Sequence, residues 1–314
     1  MKYYFAPLEG LTNYVYRNIH AEHFGKLDKY FTPFLSPSQN KKFSSREKND
    51  VLPENNIGLN VIPQLLTNNS EHFILACNEL KKMGYTEINL NLGCPSGTVV
   101  AKKKGSGFLT ELDALDKFLY DIYNKTDVNI SIKTRLGRYS ADEFEEILSI
   151  FNKYPVYELT IHPRVQTDFY KNPVNKEAFY KYLNKIKAPV CYNGDIFKES
   201  DLKIENVNAV MLGRGLIANP FLVSNIKGEN IFDKKIIKEF HDKLYNIYKE
   251  KLSGDVPVLH KMKEIWFYMN VLFNANESVW KKLRKAKNLK EYEMIVNTIF
   301  LYDLNENPAY YGLK

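Results

Sequence analysis

Three short stretches carry groups that could do chemistry. The first, NLNLGCPSG at 89–97, ends an alternating run on Cys94, a thiol held between Gly93 and Pro95. The other two, YNGD at 192–195 and LGRG at 212–215, are glycine turns that follow short apolar runs. Each turn alone also reads as an ordinary strand-to-helix connection. Standing on consecutive runs, they point to a phosphorylated ligand held by backbone N–H groups, and Arg214 adds the bidentate charge that phosphate prefers. The thiol is ambiguous by itself, since an isolated cysteine is often a small core residue. Cys77, inside an amphipathic segment, and Cys191, inside an apolar run, read as core.

Positioning such groups needs a scaffold. Eight short apolar or alternating runs recur, at 3–6, 29–34, 60–66, 87–92, 129–134, 156–161, 189–192 and 209–212. Between most of them lie amphipathic segments such as 70–83, 111–123 and 141–152, with apolar residues at helical spacing. Ser70 and Ser140 read as N-caps, with Glu143 completing a capping box behind Ser140. Eight strand and helix units argue for a closed parallel (β/α)8 barrel, a TIM barrel of the α/β class, over an open sheet. The stretch 41–55 is polar and poorly periodic, an irregular excursion. After Phe221 the pattern turns helical, at 234–252, 258–273, 277–287 and 289–301, a small C-terminal helical bundle. The expected division is a barrel over 1–225 and helices over 226–314.

In such a barrel, chemistry belongs to the carboxyl ends of the strands. Those positions hold Pro7, Leu8 and Glu9 after the first run, Gln64 in the third, Asn91 and Cys94 at the fourth, and Lys133 and Arg135 at the fifth. His162 and Arg164 end the sixth, Asn193, Gly194 and Asp195 the seventh, and Gly213, Arg214 and Gly215 the eighth. So many polar groups converging on one opening require a large polar ligand to match them.

Composition bounds the rest. The 314 residues are 44% hydrophobic and 26% charged, as in an ordinary globular protein. Three dispersed cysteines suit a reducing compartment, no CxxC spacing suggests a metal site, and neither a signal peptide nor a membrane span is legible, so a cytoplasmic location is expected. The net charge is +7, and WKKLRKAKNLK at 280–290 holds six basic residues and no acid.

Taken together, APLEGLTN, PQLL, NLNLGCPS, IKTRLG, TIHPR, YNGD and MLGRG, in this order over residues 3 to about 225, resemble the tRNA-dihydrouridine synthases. The GCP block is the most specific part, and the helical C-terminal region also fits that family. The resemblance implies a flavoprotein that binds FMN in the barrel mouth, takes hydride from NADPH and reduces uridine in tRNA to 5,6-dihydrouridine. By that resemblance Pro7, Leu8 and Glu9 lie along the flavin, Gln64 bonds its pyrimidine edge, and Lys133 sits near N1 and O2, where a fixed cation stabilises the anionic reduced ring. Asn193, Gly194, Asp195, Gly213, Arg214 and Gly215 then cradle the ribityl phosphate. His162 matches a family histidine near the flavin, with a structural role as the alternative.

On the same reading, hydride adds to C6 of uracil and a proton must reach C5 from the opposite face. Cys94 is the candidate donor, because a thiol of ordinary pKa about 8.5 stays largely protonated at neutral pH. Asn91 and Arg135 are expected at the substrate. Lys102, Lys103 and Lys104, in VVAKKKGSG, form either a solvated loop or a lid over the flipped-out nucleotide. Lys281, Lys282, Arg284 and Lys285 supply phosphate contacts to a tRNA recognised by shape. No membrane and no obligate protein partner is expected. A different flavin barrel acting on a small unsaturated substrate, a synthase acting on ribosomal RNA, and an RNA-binding barrel without flavin are the alternatives.

Overall fold

Every residue from Glu87 to Leu92 is buried, as a strand in a parallel sheet covered on both faces requires. The computed structural model describes residues 1–38, 43–229, 231–306 and 308. Its strands are β1 (Lys2–Phe5), β2 (Lys29–Phe31), β3 (Val61–Ile62), β4 (Gln64–Leu65), β5 (Glu87–Leu92), β6 (Asn129–Arg135), β7 (Leu159–His162), β8 (Val190–Asn193) and β9 (Ala209–Leu212). All pairings are parallel, in the order β3-β2-β1-β9-β8-β7-β6-β5-β4.

The expected third strand is broken at Pro63, which has no N–H to give a ladder. Its two halves, β3 and β4, pair with β2 and β5 respectively, so one bent strand joins both ends of the sheet into an eight-position barrel. Pro63 keeps its acceptor role: its carbonyl receives Asn89 N at 2.8 Å.

Helices follow the strands: α1 (Tyr14–Phe24), α2 (Ser45–Val51), α3 (Ser70–Lys82), α4 (Gly97–Val100), α5 (Leu112–Lys125), α6 (Phe144–Phe151), α7 (Lys176–Leu183), α8 (Arg214–Ala218) and α9 (Leu222–Ile226). The Ser140 and Glu143 capping box forms as expected, opening a 3-10 turn that leads into α6. At α3 the cap is Asn69, not Ser70: Asn69 Oδ1 accepts from His72 N at 2.8 Å, while the Ser70 hydroxyl bonds Asp121. Asparagine caps as well as serine and stands one residue closer to the preceding loop. The excursion read as irregular contains α2, opened by a capping box of Ser44 and Glu47; positions 41 and 42 lie outside the described residues.

The remaining helices are α10 (Lys234–Lys251), α11 (Asp255–Met269), α12 (Glu277–Lys285) and α13 (Leu289–Ile299). They dock on the barrel through α10, where Phe240 meets Tyr16 and Phe24 edge-on at centroid distances of 5.6 and 4.9 Å. Their own core centres on Trp266, whose indole N–H donates to Tyr292 Oη at 2.9 Å. Among the described residues no helix is long and apolar enough to cross a membrane.

Candidate active site

The carboxyl ends of the strands surround a cavity of about 250 Å³. Fifteen residues singled out in the sequence line it: Pro7, Leu8, Glu9, Gln64, Asn91, Cys94, Lys133, Arg135, His162, Asn193, Gly194, Asp195, Gly213, Arg214 and Gly215. They come from seven loops or strand ends up to 208 positions apart, from Pro7 to Gly215, and only the barrel topology brings them together.

Its floor is a chain of amides. Gln64 is wholly buried, donates Nε2–H to Asn89 Oδ1 at 2.8 Å and accepts Asn91 Nδ2–H at 2.7 Å. Asn89 passes the chain to Ser131 Oγ at 3.0 Å. Asn91 then turns its own Oδ1 to the N–H groups of Gly93 and Cys94, at 3.0 and 2.9 Å. Arg135 Nε donates to Gly93 O at 3.1 Å, and Gln166 Nε2 donates to Pro95 O at 3.3 Å. The turn carrying the thiol has no regular secondary structure, and side chains hold its backbone groups.

Cys94 is partly exposed, whereas Cys77 and Cys191 are buried. Burial raises the Cys94 thiol pKa, offset in part by a hydrogen bond from Ser96 N–H and by the positive charges of Arg135 and Lys133. The sulfur is therefore protonated at neutral pH yet has support for the thiolate it becomes on giving up that proton.

Lys133 makes no hydrogen bond or ion pair among the described residues. Burial, reinforced by Arg135, lowers its ammonium to about 8. A partly buried cation without a counter-charge awaits an anion. His162 is likewise pushed well below its ordinary value, by burial first and then by Arg135 and Lys133. Its Nε2 stands 2.8 Å from Arg164 Nη1. Guanidinium nitrogens only donate, so Nε2 accepts and the neutral ring carries its proton on Nδ1.

At the far end Asp195 accepts from Arg164 at 3.0 and 2.5 Å and from Arg214 Nη2 at 2.9 Å. Expected in the phosphate cradle, this carboxylate lines the cavity and orients two arginines there. Arg214 Nη1 is buried with no partner among the described residues. Gly194 has φ +140° and a Cβ there would meet His162 Cδ2 at 2.8 Å; a Cβ on Gly215 would meet Ile196 O at 2.1 Å. Only glycine allows the two turns to approach so closely. Asn193 spends its Nδ2 on Met211 O at 2.8 Å, tying β8 to β9.

Several charged groups singled out in the sequence are already engaged by the protein. Arg135, expected at the substrate, lines the cavity, and its guanidinium donates to Gly93 O, to Val165 O at 2.7 Å and to Phe169 O at 2.8 Å. Lys102, Lys103 and Lys104 are outside the cavity lining. Their run is folded rather than open: Asn68 donates to the carbonyls of Lys102 and Lys103, Lys103 pairs with Glu111 at 3.0 Å, and Lys104 is half-buried. Lys281, Lys282, Arg284 and Lys285 are all exposed on α12 and do not line the cavity, and Arg284 is paired with Glu277.

Of the lining residues not singled out in the sequence, three bring charge or an aromatic ring to the mouth. Tyr170 lies under three guanidinium groups, 4.4 Å from Arg214, 5.4 Å from Arg135 and 6.0 Å from Arg164; an aromatic in the polar loop after His162 was its only signal. Glu264 and Tyr268 reach the mouth from α11, where Lys261 also donates to Gly10 O. No local signal links these helix positions to the strand ends of the barrel.

The family model described as dihydrouridine synthase (Dus) matches residues 4–301. Among similar curated proteins, a probable tRNA-dihydrouridine synthase of Staphylococcus aureus (strain COL) is 27% identical over 266 residues, covering 78% of this chain and 77% of that one. The tRNA-dihydrouridine(16) synthase of Neisseria meningitidis serogroup A is 25% identical, with 77% and 76% covered. The probable tRNA-dihydrouridine synthase 2 of Bacillus subtilis is 28% identical, with 69% of each covered. Among solved structures, N-acetylneuraminate lyase from Mycoplasma synoviae superposes with TM-score 0.50 at 16% identity over 95% of this chain and 98% of that one, a likeness of fold alone.

Proposed function

Since the chain belongs to the dihydrouridine synthase family, a family of oxidoreductases, we propose that it reduces uridine to 5,6-dihydrouridine in tRNA, with FMN resident in the barrel mouth and NADPH as reductant. The observation that carries this reading is a cavity with an unpaired cation at one end, an orphan guanidinium N–H at the other and a protonated thiol at its rim.

The residues present fit FMN. Arg214 Nη1 and the backbone of the two glycine turns suit its phosphate, and Asp195 holds Arg164 and Arg214 toward it. Pro7, Leu8 and Glu9 would flank the ring, with Gln64 at its pyrimidine edge. Lys133 supplies the cation that an anionic ring requires, and neutral His162 presents Nδ1–H as a donor. When bound, FMN supplies the hydride that is added to C6 of uracil.

What remains is the work of the chain itself. Cys94 Sγ holds a proton at neutral pH and delivers it to C5, forming the C–H bond as S–H breaks and leaving a thiolate. The Ser96 N–H and the charges of Arg135 and Lys133 stabilise that thiolate. Partial exposure lets solvent return the proton. Asn91 acts by holding the Cys94 backbone.

We assign residues 1–225 to the catalytic barrel and 226–314 to tRNA binding, with the exposed basic groups of α12 facing phosphates and Lys102 to Lys104 near the substrate strand. Glu264 and Tyr268 at the mouth support a substrate that spans both parts. The test has three readouts: purified protein with an oxidised-flavin spectrum, NADPH-dependent formation of dihydrouridine in an unmodified tRNA transcript, and loss of dihydrouridine from the RNA of cells lacking the protein. A colourless protein inactive on tRNA after FMN is added would overturn it.

A further inference from the structure

The segment after the lysine run is wedged against the thiol turn. Ser106 is wholly buried and gives two hydrogen bonds to one acceptor, the carbonyl of Cys94, from N at 3.1 Å and from Oγ at 2.8 Å. Gly105 beside it has φ +56°, and a Cβ there would meet Cys94 O at 2.8 Å and Cys94 Cβ at 3.1 Å. A Cβ on Gly107 would meet Val100 Cα at 2.9 Å. Two glycines thus let this 3-10 turn sit against residue 94 and bring the Ser106 hydroxyl to its carbonyl.

We infer that Ser106 is a positioning residue for proton transfer, fixing the Cα–Cβ bond of Cys94 so that the sulfur meets C5 of the pyrimidine. The inference rests on the reading of Cys94 as the proton donor. Asn91 holds the Cys94 N–H from one side and Ser106 holds its C=O from the other, so the peptide on either side of the Cα is fixed while the side chain remains partly open to the cavity. Without the hydroxyl the carbonyl keeps only the Ser106 N–H, and the turn gains freedom to rotate. Small misplacements of a reacting group cost large factors in rate.

The test uses the FMN-loaded enzyme with an unmodified tRNA transcript. In S106A, flavin loading and reduction by NADPH are expected unchanged, KM for tRNA unchanged, and tRNA-dependent reoxidation slowed about tenfold with a larger solvent deuterium isotope effect. The C94A/S106A double variant is expected no slower than C94A alone. S106G, which also keeps the N–H, replaces S106A if the latter fails to load flavin. Reoxidation and isotope effect at wild-type values in the serine variant, or losses that multiply in the double variant, would overturn the inference. C94A turning over normally would instead defeat the reading beneath it.

Discussion

Asp195 holds Arg214 through Nη2 at 2.9 Å, while Nη1 of the same guanidinium is buried without a partner among the described residues. One arm is anchored by the protein and the other is left for a ligand. Charge-assisted hydrogen bonds are worth about 1.5–3 kcal/mol. Replacing Arg214 by Ala is therefore expected to weaken FMN binding about tenfold to a hundredfold, read by quenching of flavin fluorescence on titration.

Asp195 itself neutralises two guanidinium groups whose side chains are only 2% and 10% exposed. D195N leaves both cations without compensation, which is expected to destabilise the flavin-free protein by about 3 kcal/mol. Added inorganic phosphate should then raise the melting temperature more in D195N than in the wild type.

Lys133 gives a pH signature. The folded, flavin-free protein releases this proton near 8, whereas an unfolded lysine keeps it to about 10.4. Between those values the unfolded chain binds more protons, so stability from this group rises with pH across that window. K133M is expected to abolish that rise and to stabilise the flavin-free protein at about pH 7, measured by thermal unfolding, while lowering FMN affinity.

At the opposite end of the barrel, Lys29 bridges Glu87 at 2.8 Å and Glu158 at 3.3 Å, and Tyr4 donates to Glu158 at 2.8 Å. Burial raises the pKa of Glu158, with Lys29 opposing. K29M strands two buried carboxylates and is expected to cost about 3–5 kcal/mol in urea unfolding. The loss should shrink as pH falls and the carboxylates take up protons.

How much of this was legible depends on what each residue does with its neighbours. The run 209–212 matches β9 residue for residue, because an apolar run between turns has one use in a parallel barrel. Pro63 splits the run expected as a single strand over 60–66, for want of an N–H. The strand-end positions gave the residue types lining the cavity, since period and topology fix which side chains reach the mouth. They did not reveal whether a charge is already spent: Arg135 on carbonyls and Asp195 on arginines look, in sequence, like groups free for a ligand. Tyr170, Glu264 and Tyr268 depend on loop course and on helix docking, which no local pattern encodes.

For the basic face of α12, reversing Lys281, Arg284 and Lys285 to Glu is expected to weaken tRNA binding and to flatten the dependence of log affinity on log salt by about two to three. A filter-binding series at several salt concentrations reads both.

The central claim is that the sulfur of Cys94 delivers the proton to C5. The direct measurement is single-turnover reoxidation of the NADPH-reduced C94A enzyme by unmodified tRNA, followed at the flavin absorbance. C94A should bind FMN and accept reducing equivalents as the wild type does, with reoxidation slower by about a hundredfold or more. Reoxidation at the wild-type rate, with dihydrouridine formed in equal amount, would contradict it.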